Sequence, residues 1–327
     1  MEQKVRWGIV GPGNIAGKFT ADLLRFDDAE VTSVASRNLE RAKQFAQDFK
    51  IPHSFGSYDE LFESDDVDIV YIATPHRFHK ELAIQAMRKG KHVLCEKPLG
   101  VNLSEVQEII EVAQAENVFM MEGLWSRFNP SIQKTKTLVD KGEIGDITYL
   151  HADFAFYALD RSEESRLLNP ELASGSLLDI GIYPIFLSYL LLGMPDAIHA
   201  QGNFHSNGTE LQTSILFKYE NALSVLYSGL VGESKMEAEI SGSKGAIFVQ
   251  PRWHEANGLR VKVNEEIKDF DLTKEGNGFV YEIQEVHKCL KNNQMQSLLW
   301  SHQDSLNIAK LLFEVRTQIG AKFPFES

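Results

Sequence analysis

Short apolar runs alternate with stretches of helical period through the first third of the chain. Val5 to Phe19 reads as a buried strand, a tight glycine turn and a helix. Glu30 to Ala35 alternates and is rich in β-branched residues, Val67 to Ala73 is continuously apolar, and His92 to Cys95 and Val118 to Gly123 follow, all as strands. Between them, Leu39 to Phe49 follows Asn38 as N-cap, Ser57-Tyr-Asp-Glu60 is a capping box, and Lys80 to Lys89 is amphipathic and stops at Gly90. Ser104-Glu-Val-Gln107 reads as a second capping box, opening a helix to about Glu116. Strands alternating in this way with helices predict a doubly wound, right-handed parallel sheet, a Rossmann domain over residues 1–123.

The pattern then changes. A helix from about Ser131 to Lys141 leads to an alternating strand, Ile147 to Phe156, and a polar loop ending Ala173-Ser-Gly-Ser176. After the apolar run to Leu192 come strands at Ala197 to Phe204, Leu211 to Phe217, Ala222 to Ser228, Lys235 to Ser241, Ala246 to Val249 and Leu259 to Val263. Tight turns at Tyr219-Glu-Asn221 and Gly242-Ser-Lys-Gly245 predict antiparallel neighbours. Helices at Val280 to Leu290 and Ser305 to Gln318 finish an α+β domain, residues 124–327, with one large, mostly antiparallel sheet. A sheet face without helices calls for another partner.

Composition excludes more than it identifies. With 327 residues, 43% hydrophobic and 24% charged, the chain suits about two soluble domains. A net charge of -13 argues against nucleic acid or an anionic membrane as partner. Cys95 and Cys289 form neither a disulfide framework nor a zinc spacing, and no basic, apolar leader opens the chain, so a cytoplasmic setting is expected. Ile180 to Leu192 is too short to cross a bilayer, which takes about 20 residues, and reads as a core helix.

The chemistry starts at the glycine turn. Gly11, Gly13 and Ala16 have the spacing G-x-G-x-x-A, in which backbone amides at the start of the helix, around Asn14 and Ile15, approach a diphosphate. About 20 residues on, the tip of the second strand normally carries the acid that holds the ribose of NAD. Here it is Ser36-Arg37, two donors suited to a 2′-phosphate, which favours NADP while leaving NAD possible. Thr74, Pro75, His76 and His79 follow the third of these strands and should line the same cleft. The two histidines lack further ligands at metal spacing, so no metal is expected, and capping or solvated histidines are the simpler reading. Glu96-Lys97-Pro98 reaches the same edge; Lys97 there is either a donor to substrate or a solvated lysine in a surface turn. If Leu177 onward is helical, Asp179 and Tyr183 face the same way, with Pro184 in tension against a continuous helix.

The glycine turn, Ala73-Thr74-Pro75-His76 with His79, and Gly90 to Pro98 together resemble the glucose-fructose oxidoreductase, inositol dehydrogenase and rhizopine-catabolism (Gfo/Idh/MocA) family. The resemblance implies that Lys97 takes part in catalysis and that Leu-Leu-Asp-Ile-Gly-Ile-Tyr183 corresponds to an Asp-x-Gly-x-His signature, with Tyr183 in place of the histidine. That variant is similar to a branch containing the dihydrodiol dehydrogenases and the NADP-dependent D-xylose dehydrogenases. It also implies that Trp125, Arg127, Phe128 and Phe154 lie near nicotinamide or substrate, that Glu96 borders the cofactor, and that the second-domain sheet pairs two copies into a homodimer.

Two readings follow from these expectations. In the first, an NADP-dependent oxidoreductase moves hydride between nicotinamide and a secondary alcohol or carbonyl of a sugar, polyol or cyclic diol held between the domains. Tyr183 exchanges the proton, Lys97 holds the oxygen and Asp179 orients a neighbouring hydroxyl. In the second, an NAD(P)-binding regulator or scaffold uses the same fold without turnover, and would have little need of Lys97, Asp179 and Tyr183 together.

Overall fold

A computed structural model describes residues 4–326 and divides them into two compact units, residues 4–125 with Glu275–Leu306, and Ser126–Lys274 with 307–326. A single cut after Gly123 leaves Glu275–Leu306 with the second unit, whereas its hydrogen bonds lie in the first. Asp22 accepts from the backbone of Asn277 and Phe279, and the Met120 amide donates to the Met295 carbonyl. Such a return of the chain leaves no local pattern in sequence.

In the first unit, β1 (Val5–Val10), β2 (Ala29–Ala35), β3 (His53–Phe55), β4 (Ile69–Ile72), β5 (His92–Glu96) and β6 (Met120–Gly123) form a parallel sheet in the order β3-β2-β1-β4-β5-β6. The helices are α1 (Asn14–Leu23), α2 (Leu39–Phe49), α3 (Tyr58–Phe62), α4 (His79–Arg88) and α5 (Leu103–Ala115). Asn38 caps α2 by accepting from the amides of Glu40 and Arg41. The cap of α5 is Asn102, not Ser104. Its side chain accepts from the Glu105 amide at 3.0 Å while Glu105 reaches back to the Val101 amide at 3.0 Å, so the reciprocal box sits two residues earlier than the Ser-x-x-Gln pattern implies. β3 has three residues, too few for a period to show.

In the second unit, α6 (Pro130–Asp140) precedes β7 (Ile147–Ala155), and α7 (Ile182–Leu192) precedes β8 (Ala197–Phe204), β9 (Glu210–Lys218), β10 (Leu223–Gly229), β11 (Ala238–Gly242), β12 (Gly245–Val249), β13 (Gly258–Val263) and β14 (Glu266–Asp271). The eight strands run β14-β13-β12-β11-β7-β10-β9-β8, antiparallel except for the β7–β10 pair. β14 is an exposed edge strand, Glu-Ile-Lys-Asp-Phe-Asp, whose charges hide its period and discourage edge-to-edge pairing. Of the last two helices, α8 (Val280–Lys291) belongs to the first unit, and α9 (His302–Ile319) starts in the first and continues in the second.

The apolar run around α7 is a core segment. Pro170–Leu192 is long and apolar enough by composition to cross a membrane, but 78% of that window is buried inside the protein. Leu177–Gly181 forms a wide π-helical turn that passes into α7 at Ile182. Pro184 lies just where the wide turn passes into α7, so its missing amide falls where the helical hydrogen-bond ladder already changes period, which resolves the tension.

Candidate active site

The carboxyl edge of the parallel sheet gathers most of the residues singled out in the first unit. Gly11 has φ +88°, and a Cβ there would stand 2.9 Å from Thr74 Cγ2 and 3.2 Å from the Ala73 carbonyl oxygen, so the crossing of the turn over the β4 exit requires glycine. Gly13 is different: a Cβ would meet nothing within 4 Å. It is the N-cap of α1 and gives no side-chain cap to the first-turn amides. The order of the sheet reverses between β1 and β4, the place where open α/β sheets bind ligands.

At the β2 tip, Ser36 is buried and its hydroxyl accepts from the Asn38 amide at 3.2 Å. Arg37 lies with its guanidinium 4.9 Å from the centre of the Phe78 ring. Arg41, in the first turn of α2, donates to the carbonyl of Pro12 in the glycine turn at 3.4 Å. It was not among the expected residues, because Arg37 precedes the cap of α2 and no helical period links the two arginines.

The histidines are neither caps nor solvated. His76 is buried, and His79 is fully buried, with Nδ1 2.8 Å from the Pro98 carbonyl and Nε2 2.8 Å from the Thr74 carbonyl. Burial pushes its pKa down, against the pull of the two carbonyls, with Lys97 adding to the fall. His79 therefore ties the β4 exit loop to the turn that carries Lys97. That turn is fixed from the other side by Glu122, which accepts from the Leu99 amide at 2.9 Å, from Ser305 Oγ at 2.7 Å and from Trp300 Nε1 at 3.2 Å. Burial raises the pKa of Glu122 and these donors oppose it. Glu96 is buried and accepts from the Tyr71 hydroxyl, whose own pKa burial pushes well above its usual value. Lys97 is half-buried. Cys95 is fully buried and burial raises its thiol well above the usual range, an inert core residue. Trp125 stacks on Phe279 at 4.8 Å, and the Phe279 amide is anchored by Asp22. Phe279, the residue before α8, was not expected at the site because nothing in its local pattern distinguishes it.

The second unit supplies a separate group. Asp179 is buried in the π-helical turn and accepts from Arg166 Nη1 at 2.9 Å. Tyr183, in the first turn of α7, is buried beside Phe154 and His254, with ring centres 5.7 and 5.3 Å away. Phe154 and His254 stack on each other at 4.1 Å. The His254 carbonyl is fixed by the Ser126 hydroxyl at 2.5 Å, beside buried Arg127 and Phe128. Neither His254 nor Arg166 was expected; Arg166 comes from a loop and His254 from a three-residue 3-10 turn, both too irregular or short to leave a periodic signature. Among the described residues, no group of three or more His, Cys, Asp or Glu side chains is placed to hold a metal ion.

Residues 5–124 match the oxidoreductase family with an NAD-binding Rossmann fold, and residues 132–248 match the GFO/IDH/MocA C-terminal domain. Fold, glycine turn and family match define a nicotinamide-dependent oxidoreductase. The chain belongs to the Gfo/Idh/MocA family. It is 36% identical to the trans-1,2-dihydrobenzene-1,2-diol dehydrogenase of Mus musculus, over 98% of each chain, and 34% identical to the human enzyme of that name, again over 98% of each. Among solved structures, a 3-ketoreductase from Actinomadura kijaniata in complex with NADP and TDP-benzene superposes with a TM-score of 0.88 at 26% identity, covering 97% of this chain and 98% of that one.

Proposed function

We propose that the chain is an NADP-dependent dehydrogenase acting on a secondary alcohol, or the matching carbonyl, of a cyclic diol, sugar or polyol. The observation that carries this reading is the meeting, at one sheet edge, of an uncapped helix start behind Gly13 with the turn of Lys97. The residues fit the cofactor. The amides after Gly13 would hold the diphosphate, Ser36 and Arg37 the 2′-phosphate, and Thr74, Pro75, His76, His79, Glu96, Trp125 and Arg127 the remainder. When bound, NADP accepts or returns the hydride.

The chain's own residues handle the proton and the oxygen. Tyr183 takes the hydroxyl proton in oxidation and returns it in reduction. Lys97 donates to the reacting oxygen, and its positive charge favours the tyrosinate. Asp179 accepts from a neighbouring hydroxyl, with Trp125, Phe128 and Phe154 giving the apolar contact that a ring substrate needs. The resemblance to diol dehydrogenases supports a vicinal diol, where one hydroxyl reacts and the second is held.

The same reading includes a cytoplasmic homodimer, without nucleic-acid or membrane partners. Two buried free cysteines and the acidic net charge support the setting. For the dimer, Tyr149, Leu223, Val225 and Phe248 are exposed on one face of the eight-stranded sheet among His151, Glu239 and Arg260, a mixed face with apolar side chains that a second copy could cover. Replacing Val225 and Phe248 by aspartate should yield a monomer in sedimentation velocity.

The test is turnover of NADP with trans-1,2-dihydrobenzene-1,2-diol and D-xylose, alongside Lys97→Met and Tyr183→Phe. Each variant should lose about a hundredfold or more in kcat, as removal of a general acid or base does, while still binding NADPH by nicotinamide fluorescence. Turnover within a few-fold of the parent in either variant would remove the assignment.

A further inference from the structure

The turn that carries Asp179 is held by a carboxylate from a different element. Glu210, the first residue of β9, is only 5% exposed, yet it accepts from Ser176 Oγ, from the Leu177 amide and from Thr213 Oγ1, each at 2.7 Å. Because Ser176 donates to Glu210, the Ser228 hydroxyl of β10, 2.9 Å away, donates to Ser176. The π-helical turn has no side-chain cap of its own, so its leading amide is satisfied from the sheet. An ordinary cap is supplied by the residue preceding the helix and moves with it. This one fixes the turn relative to β9 and β10.

Two glycines allow the close approach. Gly175 has φ +123°, and a Cβ there would stand 3.0 Å from Glu210 Oε2 and 3.1 Å from the Glu210 carbonyl oxygen. At Gly181 a Cβ would stand 2.8 Å from Ser228 Oγ. The segment Ser174 to Gly181 thus lies against the sheet through small residues on one side and a buried carboxylate on the other. Burial raises the pKa of Glu210, and the donors from Thr213, Leu177 and Ser176 oppose that rise. A carboxylate buried so completely is an expensive way to end a helix when serine or asparagine would do.

We propose that Glu210 is a positioning residue for the reaction: it docks the turn on the sheet and so fixes where Asp179 and Tyr183 stand, a role that rests on the assignment of those two residues above. It touches neither substrate nor cofactor. Its effect should appear in the chemical step and in substrate orientation, not in cofactor binding.

The test compares Glu210→Ala and Glu210→Gln in the full chain, with the faster of the two substrates named above. Glutamine keeps an oxygen for the Leu177 amide, and its amide hydrogens can turn to the hydroxyls of Thr213 and Ser176, which can accept. Alanine should lower kcat about a hundredfold, the scale of a displacement of about 1 Å at a reacting group, with the KM for NADP within about twofold. Glutamine should restore kcat to within about fivefold of the parent by the same argument. Alanine kcat within threefold of the parent, glutamine as impaired as alanine, or an equal loss of NADPH affinity would each overturn the proposal. If the alanine variant does not fold, Ser176→Ala cuts the link between Glu210 and Ser228 and should lower kcat several-fold with cofactor binding intact; an unchanged kcat there is equally fatal. Tyr183→Phe run in parallel separates the two claims. An active Tyr183→Phe removes the functional reading, whereas an inactive one beside an active Glu210→Ala removes only the role of Glu210.

Discussion

Arg166 donates to Asp179 across 2.9 Å, joining a guanidinium that is 57% exposed to a carboxylate whose side chain is 8% exposed. The pair links the loop before Leu167 to the turn at the start of α7. A charge-assisted bond of this kind fixes the carboxylate that the proposed reaction uses to orient a substrate hydroxyl. Arg166→Ala should therefore raise the KM for the diol or sugar. Exposure of the arginine screens the interaction, so the expected rise is about five- to tenfold, not the hundredfold of a buried pair. The KM for NADP should not change. Arg166→Lys should fall between, because an ammonium keeps the charge without the planar fork. Steady-state kinetics with both substrates varied would decide, and unchanged values in the alanine variant would remove Arg166 from the site.

Cofactor choice is tested at the β2 tip. Arg37→Ala should weaken NADPH binding about ten- to a hundredfold, or about 1.4–2.8 kcal/mol, and leave NADH binding unaltered. Arg41→Ala should have a smaller effect in the same direction, since its guanidinium already bonds to the Pro12 carbonyl. Fluorescence titration with the two nucleotides measures both. Equal affinity for NADPH and NADH in the parent would remove the NADP preference and leave the fold untouched.

Long periodic elements were legible in the sequence, and so was the edge of the sheet that they create. Leu39–Phe49 with its Asn38 cap, and Ala197–Phe204, lie where their patterns put them because each is long enough for its period to outweigh local noise. What failed to show depends on contacts between distant residues. The cap of α5 moved because Asn102 competes with Ser104 and wins through Glu105. Phe279 reaches Trp125 because Asp22, far away in sequence, holds its amide, while His254 sits in a three-residue 3-10 turn and Arg166 in an irregular loop. The placement of side chains at strand ends is thus readable, whereas that of returning segments is not.

Glu282 gives a prediction about stability. It is fully buried, and neither carboxylate oxygen has a hydrogen-bond partner among the described residues. Burial holds its pKa well above the usual carboxylate range, and Glu96 and Asp22 push the same way. The folded protein keeps the proton where the unfolded chain, above about pH 4.3, releases it. Stability therefore falls as pH rises through that window. Glu282→Gln removes the titration while keeping shape. Its Tm should match the parent below about pH 4 and exceed it by a margin that widens towards pH 8. A constant offset at every pH would show that the proton is not the cause.

The two glycines of the turn should fail in different ways when replaced by alanine. At Gly11 the backbone has φ +88° and a Cβ would crowd Thr74 and Ala73, so Gly11→Ala is destabilised even without nucleotide, by about 1–2 kcal/mol for the left-handed conformation alone. At Gly13 the backbone is extended and a Cβ meets no protein atom within 4 Å. Gly13→Ala should accordingly melt only a few degrees below the parent, since the one cost is a poorer N-cap residue, about 0.5–1 kcal/mol. Its added methyl would instead stand where a diphosphate must approach the α1 amides, weakening NADPH at least about tenfold. Thermal melts with and without NADPH distinguish the cases: Gly13→Ala should keep its own Tm and lose the shift on adding nucleotide. A Gly13→Ala protein that binds NADPH as well as the parent would mean that the diphosphate does not sit on the start of α1.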